Sequence, residues 1–170
     1  LGEKGTFAKV CLWDRATRAP LVFAGPGVPK NININASVEL FSIYPTLTDL
    51  CGLEAPKNLE ARSLYPLLKN PKSTWPHPAV MTWARNNHAV KTRDYRYIRY
   101  EDGSEELYRI KSDPNEWNNV AGQKKYAQIK QELRTYLPQT NALWAAASRY
   151  DNNDYFIRQK KEQSEVETVK

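Results

Sequence analysis

Two groups of side chains in this 170-residue sequence have types and spacing that could do chemistry. The first is a basic opening, Lys4, Lys9, Arg15 and Arg18. The second is a run in which cations alternate with aromatic rings: Trp83, Arg85, His88, Lys91, Arg93, Tyr95, Arg96, Tyr97, Arg99 and Tyr100. Ring faces stack on sugars or bases while cations hold phosphate or sulfate, so the chemistry on offer is the gripping of an anion. The competing reading is an ordinary strand region, solvated on one side and packed on the other. The sequence holds no catalytic constellation complete in itself. It has no Gly-rich phosphate loop and no nucleophile elbow, and its two histidines, His77 and His88, lack metal spacing. Cys11 and Cys51 lack zinc-type spacing and make no disulfide framework; they read as two small buried apolar side chains, with a bridge between them the less expected alternative.

The elements that must position these groups are partly legible. Residues 21–24 form a short apolar run ending at Gly25-Pro26-Gly27, which predicts a strand buried on both faces. Residues 38–41 read as extended. A helix follows over 42–51: with Ser42 as N-cap, Pro45 falls at the third helical position, where no intrahelical donor is lost, and Gly52 stops the helix. Tyr44, Leu47, Leu50 and Cys51 then share one face. A Pro-rich connector runs over 54–78, with one helical turn predicted near 64–68. Four short β-rich runs at 79–84, 88–92, 95–100 and 106–110 are separated by tight polar turns, including Asp102-Gly103. They predict an antiparallel meander. Tyr126, Ile129, Leu133, Tyr136 and Leu137 recur at helical spacing, so a helix over 124–137 should cover one face of that sheet. From residue 139 periodicity is lost, and the charge-rich end is expected to be mobile.

Composition narrows the class further. The net charge is +6 and 41% of residues are hydrophobic, which excludes a collagen, a coiled-coil rod and a wholly disordered chain. No apolar run approaches the ~18 residues of a membrane span, so no membrane partner is expected. The sequence opens on Leu1 and its single methionine is Met81, so a processed, excerpted or truncated chain is expected.

The order of motifs resembles a known family. Leu1-Gly2-Glu3-Lys4, Lys9, Leu12-Trp13-Asp14, Arg18-Ala19-Pro20-Leu21 and Pro26-Gly27 resemble the stretch after the metal-binding Asp-His-Gly of type I sulfatases, close to the iduronate-2-sulfatase and choline-sulfatase group. Residues 38–52 look like the family's V-x-L-x-D-L-x-P-T-L-x-x-L-x-G segment. Residues 88–100 are similar to its strand pair, and Glu106-Leu107-Tyr108 with Asp113, Pro114, Glu116 and Asn119 to its ELYDL…DP-x-E-x-x-N segment. The match runs over about residues 1–137, with mild departures at Asp14, Ala19 and Ser42.

The resemblance implies an α/β fragment of the alkaline-phosphatase-like superfamily. Residues 1–55 would be the last strand and helix of a large α/β domain, and 56–78 a connector. Residues 79–138 would be a small C-terminal subdomain with a four-stranded antiparallel sheet packed on a helix, and 139–170 a tail. It implies sulfate-ester hydrolysis, with a sulfated carbohydrate the expected substrate and calcium and a formylglycine nucleophile supplied by an N-terminal portion preceding this sequence. Neither Cys11 nor Cys51 carries the proline and arginine at +2 and +4 that formylglycine formation needs. Lys9 matches the family's sulfate-binding lysine, Glu3 is expected to organise its loop, and His88 and Trp83 are expected at the substrate mouth. This sequence by itself is expected to bind no metal, to lack activity, and to expose apolar surface made for the missing portion. The compartment stays open, periplasmic, lysosomal and secreted all suiting the family. The rival readings are a basic anion- or nucleic-acid-binding module, with nucleic acid the less expected partner, and a phosphatase or phosphodiesterase of the same superfamily.

Overall fold

The structure, a computed structural model, describes residues 3–5, 7 and 10–142. Most of the predicted tail lies outside the described residues.

Four strands, β1 (Ala79–Thr82), β2 (His88–Lys91), β3 (Tyr95–Arg99) and β4 (Glu105–Arg109), pair antiparallel in sequence order. The Asp-Gly turn behaves as its chemistry demands. Gly103 takes the left-handed φ of 83°, its N–H donates to the Tyr100 carbonyl at 3.0 Å, and Tyr100 N–H donates to the Ser104 carbonyl at 3.0 Å. This is the three-residue hairpin loop that ends in a left-handed residue.

Register sets the two faces. Val90, Tyr97 and Leu107 stand opposite one another and are fully buried beneath Val120, Ala121, Tyr126, Leu133 and Leu137. The predicted 124–137 helix is divided. A 3₁₀ turn, Lys124–Tyr126, leads into the α-helix Ala127–Arg134, and residues 135–137 tighten again. Tyr136 N–H and Leu137 N–H bond three residues back, to Leu133 and Arg134. Such i→i−3 bonds rotate the last turn, so Leu137 reaches the core while Tyr136, expected on the packed face, is 41% exposed.

The other face is not solvated as expected for an ordinary strand region. Ala89, Ile98 and Tyr108 pack against Leu12, with Trp13, Met81, Trp83 and Tyr100 around them. Residues 12–17 lie over this face of the sheet and close in the helical turn α1 (Asp14–Thr17). The remaining helices are α2 (Ile43–Leu50), α3 (Tyr65–Lys69) and α4 (Ala127–Arg134).

α2 starts and stops near the predicted places. Gly52 (φ 64°) and Leu53 N–H close a Schellman motif, Leu53 donating to Thr48 at 2.9 Å and Gly52 to Asp49 at 3.2 Å. Ser42 does not cap through its side chain: a 3₁₀ turn, Leu40–Ser42, runs straight into the helix, and Ser42 is itself helical. The same turn replaces the extended end expected at 40–41. The helix is amphipathic in the reverse sense. Pro45, Thr46 and Thr48 are buried, and Leu40, Phe41, Tyr44 and Leu47 are exposed. Thr46 is tolerated inside because its hydroxyl donates to the Ser42 carbonyl (2.6 Å) and accepts from Leu64 N–H (2.8 Å), joining α2 to the start of α3.

Two further expectations fail. Residues 21–24 form no strand, and Val22 is 82% exposed. A strand needs a hydrogen-bonding neighbour, and none of the described strands lies beside this run. Cys51 is exposed at the C-cap of α2 and Cys11 is half-buried, because neither sits on a packed face.

α4 is clasped to the sheet by ions as well as by packing. Glu105 accepts from Lys130 Nζ and Arg134 Nε, both at 2.9 Å, and from the Tyr97 hydroxyl. Burial pushes its carboxyl up, but the bonds from Tyr97, Lys130 and Arg134 outweigh that and hold it at about 2. The folded value lies below the ordinary one, near 4.5. Glu105 therefore stabilises the fold fully above that value and loses its contribution as pH falls toward 2. The melting temperature is expected to drop across this window, and Glu105→Gln should flatten that part of the profile. A Glu105→Gln profile parallel to wild type would contradict the assignment.

Candidate functional site

The N-terminal segment is fastened to the sheet by a buried ionic clip. Arg96 projects from the middle of β3 and is 1% exposed. Its Nη1 donates to the Leu12 carbonyl (2.7 Å) and the Thr17 hydroxyl (3.2 Å), its Nη2 to Asp14 Oδ1 (2.8 Å), and its Nε pairs with Glu116 Oε1 at 2.6 Å. Glu116 is 2% exposed and returns to the same segment, its Oε2 accepting from Asp14 N–H at 2.9 Å. Lys91 adds a second cation on Asp14.

The planar, permanently charged fork of arginine suits this junction, because it reaches two carboxylates and a carbonyl from one rigid group. Burial pushes the carboxyl of Asp14 up, but Lys91 and Arg96 more than offset it and hold it below the usual range. Glu116 is held above that range, its burial outweighing the pull of Arg96. The turn that delivers Glu116 is built by Asp113, whose carboxylate accepts from Trp117 N–H (3.0 Å) and Asn118 N–H (2.8 Å), with Glu116 itself left-handed at φ 59°.

A second fastening lies one strand over. Glu106 accepts from Trp13 Nε1 (2.7 Å), Tyr108 Oη (2.8 Å) and Tyr100 Oη (3.2 Å). Lys4 Nζ donates to Tyr108 Oη at 2.9 Å and stands over the Tyr108 and Trp13 rings, 4.1 and 4.6 Å from their centroids. Burial lowers the Lys4 ammonium's pKa below the ordinary lysine value, although Glu106 pulls the other way. These polar groups are saturated by one another, so the work of this region is positioning: it holds residues 12–17 on the sheet.

Lys9 lies outside the described residues. Glu3 falls in the short turn Glu3–Gly5. His88 is buried: its Nδ1 lies 2.9 Å from the Thr82 hydroxyl, and burial lowers its pKa against the raising effect of the Asn141 side chain. Trp83 is half-buried against Leu12, Ala89, Ile98 and Tyr108. Residues of a strand point alternately up and down, so His88 falls on the α4 side of the sheet and Trp83 on the side of the N-terminal segment. The expected pair is thus divided between faces. Lys91 and Arg96, counted among possible anion-binding cations, are spent on carboxylates. Sequence reasoning passed over Asp14, Arg96 and Glu116 as a unit, since nothing in their spacing announces that they meet.

The family of the chain follows once this arrangement is compared with known proteins. Residues 2–142 match the family described as N-sulphoglucosamine sulphohydrolase, C-terminal. The chain belongs to that sulfatase C-terminal family. It is 51% identical over 160 residues to a sulfatase of Formosa agariphila, covering 94% of this chain and 32% of the relative. It is 34% identical over 140 residues to a Delta 4,5-hexuronate-2-O-sulfatase of Bacteroides thetaiotaomicron, covering 75% of this chain and 29% of that one. Among solved structures, a 2-O GAG sulfatase superposes with a TM-score of 0.59 at 29% identity, over 85% of this chain and 30% of that chain. The chain thus spans about a third of the length of these relatives. The sheet with its covering helix is the small C-terminal subdomain of an alkaline-phosphatase-like sulfatase.

Among the described residues no group of three or more His, Cys, Asp or Glu side chains converges as a metal site. Asp14, Glu105, Glu106 and Glu116 are all committed to cations, rings or backbone donors. This donor set does not fit calcium. No helix among the described residues is long and apolar enough to cross a membrane.

Proposed function

We propose that this sulfatase C-terminal chain completes an enzyme that hydrolyses sulfate esters on carbohydrate, with Lys9 gripping the sulfate. The supporting observation is the clip: Arg96, Asp14 and Glu116 tie residues 12–17, which begin three positions after the lysine the family resemblance marks, to the sheet. A fixed ammonium there would stabilise charge developing on the sulfate and leaving oxygen in the transition state. Relatives named as a hexuronate-2-O-sulfatase and a 2-O GAG sulfatase favour a sulfated sugar as substrate. Trp83 would wall the substrate mouth on the N-terminal-segment side, and His88 would support it from behind by fixing Thr82. Calcium and formylglycine belong to this proposal as contributions of the remaining polypeptide.

The exposed row of Leu40, Phe41, Tyr44 and Leu47 would pack on that same polypeptide. The organisation proposed for the chain is a remnant of the large domain over 1–55, a connector over 56–78 and the small subdomain over 79–138. The chain alone is expected to show no sulfatase turnover above buffer even with added calcium. In the whole enzyme, Lys9→Ala is expected to lower kcat about 10²–10³-fold, the usual cost of losing one preorganised charge partner of the transition state. Steady-state kinetics on an aryl sulfate measures it, and a loss below threefold would remove Lys9 from the site.

A further inference from the structure

Among the described residues, the structure removes most of the cations of the cation–aromatic run as ligands and leaves one. Arg96 and Lys91 are paired with Asp14 and Glu116. Arg93 lies in the β2–β3 turn, at the opposite end of the sheet from residues 83–87. Arg99 stands in register with His88 and Glu105, in the row on the α4 side. Arg85 remains. It is exposed at the tip of the β1–β2 loop and forms no ion pair among the described residues.

Its backbone setting is costly and over-determined. The residues on either side, Ala84 (φ 55°) and Asn86 (φ 63°), are both left-handed, a region that side chains with a Cβ populate sparsely. Buried Asn87 secures the loop from within: its Nδ2 donates to the Arg85 carbonyl at 2.8 Å and its Oδ1 accepts from Glu101 N–H at 3.1 Å. Asn86 Nδ2 donates to Glu101 Oε1 at 3.1 Å, and Asn86 N–H to Asn141 Oδ1 at 3.3 Å. Two other segments, at Glu101 and Asn141, therefore hold a strained loop whose tip is a cation with no ion-pair partner among the described residues. Trp83, at the base of the loop, packs in the same cluster as Leu12, three positions after Lys9. The loop thus shares a wall with Leu12.

We propose that Arg85 is a specificity-determining residue whose guanidinium takes a second oxyanion of the substrate, a carboxylate or further sulfate on the sugar, distinct from the sulfate that is cleaved. The planar fork matches such a group bidentately. The proposal rests on the sulfatase reading above.

The test assays the whole enzyme as wild type, Arg85→Ala and Arg85→Lys on three substrates. These are 4-methylumbelliferyl sulfate, a monosulfated uronate-bearing disaccharide, and a disulfated glucosamine. Arg85→Ala is expected to raise KM about 10–100-fold on a sugar carrying the second anion, with kcat changed less than threefold and the aryl sulfate unaffected. Arg85→Lys should recover part of the loss. The sugar that responds tells a carboxylate from a second sulfate. An equal loss on all three substrates, or no change on any, overturns the proposal. Wild type inert on all three would instead sink the sulfatase reading. Arg85 is then judged by calorimetric titration of the same two sugars into wild type and Arg85→Ala: at least tenfold weaker binding to the variant supports its role, and equal binding overturns it.

Discussion

Arg96→Met is expected to cost the sheet unit about 3–5 kcal/mol, the range seen when one partner of a buried ion pair is removed. The size follows from what is stranded. Asp14 keeps Lys91 as a counter-ion, but Glu116, 2% exposed, loses the guanidinium that pairs with it inside the protein. The Leu12 carbonyl and Thr17 hydroxyl lose their donor in the same step. Arg96→Lys should recover little, because an ammonium is a point charge and cannot bridge Leu12, Asp14 and Glu116 at once. The double variant Arg96→Met/Glu116→Leu should regain much of the loss, since replacing both members of a buried pair by apolar groups is often neutral. Urea unfolding followed by tryptophan fluorescence measures all three, with Trp13 and Trp83 flanking the clip as reporters. A loss under 1 kcal/mol for Arg96→Met would show that the clip does not hold the segment.

The meander was legible because its signals are local. β-rich runs of five or six residues and an Asp-Gly turn each act within a few residues of themselves. The covering helix was legible for the same reason, except at its end, where a switch to i→i−3 bonds turned Tyr136 outward. The strand expected at residues 21–24 depended on a neighbour that periodicity could not supply. α2 shows the limit most plainly. Its apolar face was read correctly from Tyr44 and Leu47, yet that face is exposed and the threonine face is buried. An apolar stripe says that a surface is to be covered, not that this chain covers it.

For the candidate site, the motif order around Lys9 was readable and pointed to sulfatases, which the family match over residues 2–142 bears out. The clip was not readable. Asp14, Arg96 and Glu116 are separated by 82 and 20 positions, so only the fold brings them together. Arg96 had looked like a surface cation on a solvated strand face. The error came from treating the sheet as covered on one side only, when Leu12 and Trp13 cover the other.

The exposed face of α2 carries the second large effect. Leu40, Phe41, Tyr44 and Leu47 recur three and four residues apart, so they form one row, with Phe41 61% exposed. Burying such side chains is worth about 1.5–3 kcal/mol each, and monomeric proteins seldom leave a row of them to water. The isolated 170-residue chain is therefore expected to purify as a dimer or larger species and to bind a hydrophobic dye. Phe41→Glu with Leu47→Glu should make it monomeric while leaving the unfolding of the sheet unit unchanged, because neither side chain touches the sheet cores. In the whole enzyme the same pair should have the opposite consequence, a collapse in soluble yield, since the charges would be forced into an interface between the two parts of the protein. Sedimentation velocity decides the first result and expression yield the second. A wild-type chain that sediments as a monomer and melts in one sharp transition would show that this face needs no partner, and would take the docking proposal with it.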